Sequence, residues 1–343
     1  MAEQGVQLYF WNDYRVEPEL FDLPEPGPRQ LLVRTTHSQI SAGSEMNFYR
    51  ENPVDGPAVK SPLGYMTTGK VIATGSGVTE FGIGDRVVTS HSHASHHLVD
   101  LDSPLPQPRY ILPIPDGVSD HAAGFATLGD VALHGIRRAG IQIDESVVVQ
   151  GAGIVGQLSI QLARVAGAYP IIATDLQDDR LDLALQSGAT HVINAGRENT
   201  VERVWEILGG QGAQTVIHAS PIAAILQEAM EMAGMRGKVI ITGSAPGTAT
   251  IGMQVELMRR ELSIIGNYEV GIDTPIAYWP WSRTRNRQTV IRLVASGQMS
   301  IDPLVSHVYP AHEARELRLM MAGGKEPWMG VAMNWDDLSP FFS

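Results

Sequence analysis

Three glycines, Gly151, Gly153 and Gly156, follow the apolar run VVVQ with the spacing G-x-G-x-x-G. A helix-compatible segment comes next, and a second apolar run ends at Asp175. Glycines so spaced permit a tight turn, let a pyrophosphate approach the backbone, and let the helix pack closely on the strand. A carboxylate about 20 residues further on can accept the ribose hydroxyls of NAD and repels the 2′-phosphate of NADP. The pattern predicts a Rossmann dinucleotide site that prefers NAD to NADP.

Other residues extend this predicted site. The first helical residues after the glycines would present their N–H groups to the phosphates. Arg180 could stack near the adenine, with a solvated helix charge as the alternative. Because ligands bind beyond the carboxyl ends of parallel strands, residues that follow the later strands are also candidates. These further cofactor candidates are Ile154, Val155, Ser220, Gly243, Ser244 and Asn267.

The rest of the chain shows two kinds of pattern. Residues 1–125 alternate short strand patterns with Gly/Pro turns and have little helical periodicity, which is typical of a partly open β barrel. Residues 147–266 alternate β-branched strands with helical segments, and parallel strands need such crossovers. After residue 270 this alternation ends. With 343 residues, the chain is expected to form two domains, one of them a doubly wound parallel sheet.

Composition narrows the classes of function. The chain has 25 Lys and Arg against 37 Asp and Glu, for a net charge of −12. An acidic surface argues against nucleic acid and anionic membranes as partners. Cysteine is absent, which excludes disulfides, thiolate catalysis and cysteine-ligated zinc. No signal-peptide pattern or membrane-spanning apolar run is visible, so a cytoplasmic location is expected.

Motifs along nearly the whole chain resemble those of the medium-chain dehydrogenase/reductase superfamily. They are GSEMNFYR at 43–50, PLGY at 62–65, TGSGVTEFGIGDRV at 74–87, GAGIVG at 151–156, ATD at 173–175 and DPLVSHVYPAHEA at 302–314. The resemblance implies an α/β fold with a GroES-like β-barrel catalytic domain, residues 1–127 and 269–343, and a Rossmann domain, residues 128–268. It also implies a small-molecule substrate and a homodimer or homotetramer. It places Asp130 near the nicotinamide; a helix-surface pair of Asp130 with His134 is the alternative.

The positions that carry metal ligands in zinc alcohol dehydrogenases of this superfamily hold other residues here. Ala42 stands for the first cysteine, and Gly64-Tyr65-Met66 stands for the Gly-His-Glu motif. The third ligand position falls near residues 126–127, which are Ala and Thr. Such side chains do not form the usual zinc shell. The sequence therefore predicts no metal ligands and an enzyme of a zinc-lacking branch, similar to bacteriochlorophyllide-type side-chain alcohol dehydrogenases.

Without a metal ion, hydrogen-bond donors and a proton shuttle must manage the charge on the substrate oxygen. Ser44 matches the Ser or Thr that touches the substrate hydroxyl in the superfamily. Tyr65 replaces a zinc-binding His and could place a phenol near the same oxygen. Tyr49, followed by arginine, matches the Tyr-Arg pair of the zinc-free quinone reductases. A packed tyrosine, or a serine that satisfies a local turn, is the alternative for each of them.

Four histidines lie in the segment HSHASHH at 91–97. On a strand, His91, His93 and His97 would share one face, and His96 would take the other. Three imidazoles on one face could bind a metal or titrate near pH 7. Neutral hydrogen bonding is the favoured interpretation, and at least one of His91 and His93 is a candidate for substrate contact, with His93 named as the catalytic candidate.

The leading hypothesis is an NAD-dependent, zinc-independent oxidoreductase. It would interconvert a secondary alcohol, such as a polyol or sugar-like hydroxyl, and a ketone by hydride transfer. A quinone or enoyl reductase is the first alternative, because Tyr49 and Arg50 fit that chemistry while Asp175 weighs against it. An NAD-binding protein without enzymatic activity is the second.

Overall fold

The chain is described here from a computed structural model that covers residues 4–103, 110–268, 278–324 and 326–342. It divides into two compact units. Unit 1 comprises Met1–Thr127, Gly271–Gly297 and Ile301–Ser343, and unit 2 comprises Leu128–Val270 and Gln298–Ser300. The predicted domain boundary at residue 269 lies outside the described residues.

Strands and helices follow one another in the order that the sequence patterns indicate for most of the chain. The strands are β1 Gln4–Trp11, β2 Val16–Asp22, β3 Gln30–Gln39, β4 Lys60–Ser61, β5 Thr67–Thr74, β6 Arg86–Thr89, β7 His96–Asp100, β8 Ile111–Pro113, β9 Val147–Gln150, β10 Ile171–Asp175, β11 His191–Asn194, β12 Ala213–His218, β13 Ala233–Ile241, β14 Ser263–Gly266, β15 Val305–Pro310 and β16 Gly330–Asn334. The helices are α1 Ala42–Glu51, α2 Asp120–Gly124, α3 Ala126–Ala139, α4 Ile154–Val165, α5 Asp178–Ser187, α6 Thr200–Ile207, α7 Leu226–Met232, α8 Arg283–Ala295 and α9 Ala314–Gly323.

Unit 1 is built on an open sheet with β3 near its centre. The order along this seven-stranded sheet is β15-β16-β3-β5-β6-β8, and β7 also pairs with β3. All these pairs are antiparallel except β15 with β16. In the part of the chain that the structure describes, no ladder closes the sheet on itself. The predicted partly open barrel is confirmed in this form, and a smaller sheet of order β2-β1-β4 accompanies it.

Helix α1 interrupts the strand pattern of unit 1 and was not predicted. Its buried residues are Glu45 and Tyr49, one turn apart on a single face. A buried face that contains a carboxylate gives little apolar periodicity, which is why the sequence pattern did not indicate a helix here.

Unit 2 is a doubly wound parallel sheet, as predicted. Its six described strands run in the order β11-β10-β9-β12-β13-β14, all parallel. The order reverses between β9 and β12, so the carboxyl ends of these two strands form the switch point at which such sheets bind ligands. The buried core residues Val148, Ile172, Val216 and Val239 come from four neighbouring strands.

Candidate active site

The glycine turn joins β9 to α4 in unit 2. Gly151 has a φ of +95°, and a Cβ there would lie 3.0 Å from the backbone nitrogen of Ser220. A Cβ on Gly156 would lie only 2.0 Å from the carbonyl oxygen of Gly151, so the helix can pack this closely only with glycine. Gly153 is the N-cap, and no side chain caps the helix. The first helical N–H groups therefore suit a phosphate. The residues that begin the helix are Ile154 and Val155.

Asp175 ends β10 beside the glycine turn. Its Oδ2 accepts a hydrogen bond of 2.8 Å from the Ala152 N–H, and its Oδ1 accepts from the N–H groups of the next two residues. Backbone donors thus fix the carboxylate at the strand end where Rossmann proteins hold a ribose. Nη1 of Arg180 lies 3.9 Å from Asp175 Oδ2 and 3.9 Å from a Cβ placed on Gly153. The structure therefore brings Arg180 to the glycine turn.

The predicted contacts after the later strands lie at the same edge of the sheet. They are Ser220 after β12, Gly243 and Ser244 after β13, and Asn267 after β14. A Cβ on Gly243 would lie 2.3 Å from the carbonyl oxygen of Ser220. The loops after β12 and β13 are therefore in close contact, which requires glycine at this position.

The amide of Asn267 has a fixed orientation. Its Nδ2 donates to the Val131 carbonyl at 3.0 Å and to Thr242 Oγ1 at 3.3 Å. Its Oδ1 is buried and has no hydrogen-bond partner among the described residues. Asn267 therefore presents an acceptor that suits a ligand N–H group.

Asp130 and His134 both lie on α3, one turn apart, and both are buried. The interpretation as a helix-surface pair is therefore wrong, because the helix turns this face towards the interior. Burial, and then the charges of Arg138 and Arg137, lower the pKa of His134 to about 4. The ring is therefore neutral at pH 7.

Three hydroxyl groups meet at the N-terminus of α1 in unit 1. The Tyr65 hydroxyl donates to Ser41 Oγ at 2.5 Å, and it lies 3.4 Å from Ser44 Oγ. Ser41 is the N-cap of α1, yet its hydroxyl does not cap the helix. Ser41 and Tyr65 are buried or half-buried while Ser44 is exposed. The structure thus brings Ser44 and Tyr65 together, as their predicted roles require, and adds Ser41. We name Ser41, Ser44 and Tyr65 the hydroxyl cluster.

A buried ionic triad lies next to the hydroxyl cluster. Glu45 Oε1 accepts a hydrogen bond of 2.8 Å from the Ser41 N–H, and its Oε2 is bonded to Arg318 and lies 3.0 Å from His93 Nε2. Burial alone raises the pKa of Glu45, but the charge of Arg318 and the bond to His93 outweigh it and bring the pKa to about 2. Burial lowers the pKa of His93. The triad therefore consists of an ionised carboxylate, an arginine and a neutral imidazole.

Two predicted catalytic residues are buried in unit 1. Tyr49 is buried, stacks on Tyr14 with ring centroids 4.3 Å apart, and has no hydrogen-bond partner for its hydroxyl among the described residues. Burial raises its pKa to about 12. His93 is fully buried and packs edge-on against Phe10. In this structure Tyr49 is a core residue, and the His93 ring contacts Glu45 and Arg318.

The histidine segment does not form the single face that alternation predicts. Strand β7 begins only at His96, and residues 91–95 precede it with an irregular backbone. His91 stacks on His97 at 4.6 Å, whereas His93 turns to Glu45. The prediction that His91, His93 and His97 share one face is therefore wrong.

Comparison with known proteins shows which proteins this chain is similar to. Residues 155–282 match the family described as zinc-binding dehydrogenase. L-threonine 3-dehydrogenase of Pyrococcus horikoshii is 28% identical over 339 residues, which cover 90% of this chain and 93% of that protein. Sorbitol dehydrogenase of Gallus gallus is 27% identical over 341 residues, which cover 91% of each. An oxidoreductase/dehydrogenase of unknown specificity from Escherichia coli has the same fold, with a TM-score of 0.84, 19% identity, and coverage of 98% of this chain and all of that one.

These matches support an oxidoreductase of the medium-chain dehydrogenase/reductase superfamily. They also correct the cofactor prediction. The matching family is described as zinc-binding, so the prediction of a cofactor set without zinc is wrong, and placement in a zinc-lacking branch is not supported.

The donor groups of this chain can be compared with the needs of a zinc ion. Among the described residues, no three His, Cys, Asp or Glu side chains lie close enough together to hold a metal. Glu45 and His93 bond to each other, and Arg318 takes up the same carboxylate. Zinc needs three or four such ligands. The residues present do not fit the metal, and no catalytic step is derived through it.

Ser41 and Arg318 are site residues that the motif comparison missed. Arg318 lies on the buried face of α9 with Ala314, Leu317 and Met321. That helical spacing is visible in the sequence and places a charge in an apolar stripe, where it needs a buried partner. Ser41 precedes a helix that was not predicted, so nothing marked its hydroxyl.

The described residues contain no helix with the length and apolar character needed to cross a membrane.

Proposed function

We propose that the protein is an NAD-dependent dehydrogenase that interconverts a secondary alcohol, of the polyol or sugar-like class, and the corresponding ketone. The observation that carries this proposal is Asp175, held by the Ala152 N–H beside an uncapped helix N-terminus. A carboxylate there accepts ribose hydroxyls and disfavours a 2′-phosphate. The similarity to enzymes named for threonine and sorbitol supports an alcohol substrate.

The two units take separate tasks in this proposal. The predicted Rossmann domain, residues 128–268, lies within unit 2 and binds the dinucleotide, and unit 1 binds the substrate. Gly151, Gly153 and Asp175 would hold the dinucleotide, which would supply the hydride acceptor for alcohol oxidation and the hydride donor for ketone reduction. The residues of the chain then have only to hold the substrate oxygen and move its proton.

The hydroxyl cluster is suited to that proton transfer. Because Tyr65 donates a hydrogen bond to Ser41 Oγ, the lone pairs of its own oxygen can accept a hydrogen bond from the O–H group of an alcohol. In oxidation, the Tyr65 oxygen takes the alcohol proton while the phenol proton passes to Ser44 Oγ, which lies 3.4 Å away. The hydroxyl proton of Ser44 passes to water in the same transfer, because Ser44 is exposed. In ketone reduction the same groups return the proton.

Steady-state assays with NAD and NADP on a panel of polyols, secondary alcohols, quinones and enones test this function. The proposal requires alcohol turnover that is faster with NAD. Tyr65→Phe removes only the phenol oxygen and should lower kcat by about 100-fold or more, the usual contribution of a proton-transferring group. Tyr49→Phe is the matched change in the core and should leave kcat unchanged. Turnover of quinones alone, lost in Tyr49→Phe and kept in Tyr65→Phe, would establish the reductase instead.

Two further properties stay predictions. The resemblance implies a homodimer or homotetramer, which sedimentation of the purified protein measures. A cytoplasmic location is expected from the sequence and is measured by fractionation of the source cells.

A further inference from the structure

His218 is a buried histidine that the proposed mechanism does not use. It is the last residue of β12, and its register partner Gln150 is the last residue of β9. The order of the parallel sheet reverses between these two strands. Ligands of doubly wound sheets bind beyond the carboxyl ends of the strands at this point. A histidine that is 1% exposed therefore lies at the strand ends that a bound dinucleotide would cross.

Hydrogen bonds determine which nitrogen of His218 carries the proton. Nε2 of Gln150 donates to Glu228 Oε2 at 3.2 Å and to the Ile225 carbonyl at 3.3 Å, which fixes the orientation of the amide. The amide oxygen of Gln150 then lies 2.7 Å from His218 Nδ1. Since an amide oxygen only accepts hydrogen bonds, Nδ1 carries the proton and Nε2 keeps a lone pair.

Nε2 of His218 is a buried acceptor without a donor. It has no hydrogen-bond partner among the described residues. Burial lowers the pKa of His218, so the ring stays neutral at pH 7 and keeps this lone pair. Buried polar atoms are nearly always satisfied in folded proteins. The missing partner is therefore a donor that the described residues do not supply.

A dinucleotide carries donors on the adenine amino group, on the carboxamide and on its two riboses, and it is a ribose that Rossmann proteins hold at the strand ends. The pyrophosphate has no N–H or O–H group at pH 7, whereas each ribose has hydroxyls. Asp175 ends β10 on one side of β9, and His218 ends β12 on the other side. If Asp175 holds the adenosine ribose, as the proposed function states, the second ribose falls on the side of β12. We propose that Nε2 of His218 accepts a hydrogen bond from a hydroxyl of the ribose next to the nicotinamide. The inference rests on the proposed function.

Two fragments of the cofactor can distinguish a contact with the second ribose from contacts with the rest of the dinucleotide. ADP-ribose contains the second ribose, and ADP lacks it. Dissociation constants for NADH, ADP-ribose and ADP are measured by calorimetry on the wild-type protein and on His218→Phe, which keeps an aromatic ring but has no acceptor. We expect NADH and ADP-ribose to bind about tenfold more weakly to the variant, the effect of one lost hydrogen bond. ADP should bind equally well to both proteins.

The wild-type protein offers a second measurement that does not depend on the folding of a variant. In ¹⁵N-histidine-labelled protein, the unprotonated Nε2 of His218 should shift towards the hydrogen-bonded position when ADP-ribose is added, and not when ADP is added. An equal loss for ADP and ADP-ribose in His218→Phe, no loss for either, or an unmoved Nε2 signal would overturn the inference alone. Failure of the wild-type protein to bind NADH would overturn the proposed function as well.

Discussion

Replacement of Arg318 by methionine should strongly destabilise unit 1, because it leaves the carboxylate of Glu45 buried without a counter-charge. Arg318 is 0% exposed and Glu45 is 3% exposed. Against the effect of burial, Arg318 and His93 bring the pKa of Glu45 from 4.5 to about 2. A lowering of this size corresponds to about 3 kcal/mol, and removal of one member of a buried pair costs about 3–5 kcal/mol. We expect Arg318→Met to cost about 3–5 kcal/mol at pH 7.

The same pair determines how this cost depends on pH. In the wild-type protein the folded pKa of Glu45 lies below its unfolded value, so its contribution is present above pH 4.5 and is lost as the pH falls towards 2. In Arg318→Met, only the interactions of Glu45 with His93 and with the Ser41 N–H still oppose burial, so the pKa of Glu45 rises. The variant therefore gains stability as the pH falls through that raised pKa towards 4.5. The difference between the two proteins should be largest at pH 7 and clearly smaller at pH 4.5.

Urea unfolding followed by tryptophan fluorescence measures the effect, since Trp335 lies in the core cluster that contains Leu317. Glu45→Gln combined with Arg318→Met should recover part of the loss, because no buried charge then remains. The matched control is Arg236→Met, which removes an arginine from an exposed pair and should leave the urea midpoint nearly unchanged. A cost below about 1 kcal/mol for Arg318→Met, or a cost that does not shrink in acid, would refute the reasoning.

Three further outcomes are expected. Asp175→Asn should lower kcat/KM with NAD by about tenfold or more. It should also narrow the preference for NAD over NADP, because an amide does not repel a 2′-phosphate. An unchanged ratio of kcat/KM with NAD to kcat/KM with NADP would remove Asp175 from the site. Gly64→Ala should cost about 2 kcal/mol in urea unfolding, since Gly64 has a φ of +94° and a Cβ would lie 2.7 Å from the His93 ring; an unchanged midpoint counts against that geometry. The wild-type protein should bind NADH at least fivefold more tightly than the reduced 3-acetylpyridine analogue of NADH, which lacks the amide N–H group. Asn267→Ser should lose this discrimination. Equal discrimination by both proteins would contradict the assignment of Asn267 Oδ1 as the acceptor for a ligand N–H group.

The sequence predicts unit 2 well because its signals are local. The glycines of the turn and Asp175 lie within one strand-helix-strand segment, and each alternation of β-branched and helical patterns corresponds to one crossover. The sequence predicts unit 1 less well, because its central strand β3 pairs with strands from distant parts of the chain. The pattern of apolar residues does not indicate helix α1, because the buried face of this helix contains a carboxylate. Motif comparison could find Ser44 and Tyr65 but not their partner Ser41.

The arginine that the motif comparison missed explains why the hydroxyl cluster exists. At a helix N-cap, a serine hydroxyl ordinarily accepts an N–H group of the first turn. Here Glu45, the fourth residue after the N-cap, instead reaches back and accepts the Ser41 N–H, a bond that the third residue after the N-cap makes in a capping box. The Ser41 hydroxyl makes no capping bond, and its oxygen accepts a hydrogen bond from the Tyr65 O–H group instead. Glu45 remains ionised in the interior only because Arg318, 273 residues away in the chain, compensates its charge. The geometry of the proposed proton path is therefore a consequence of the whole fold of unit 1, and no local stretch of sequence could reveal it.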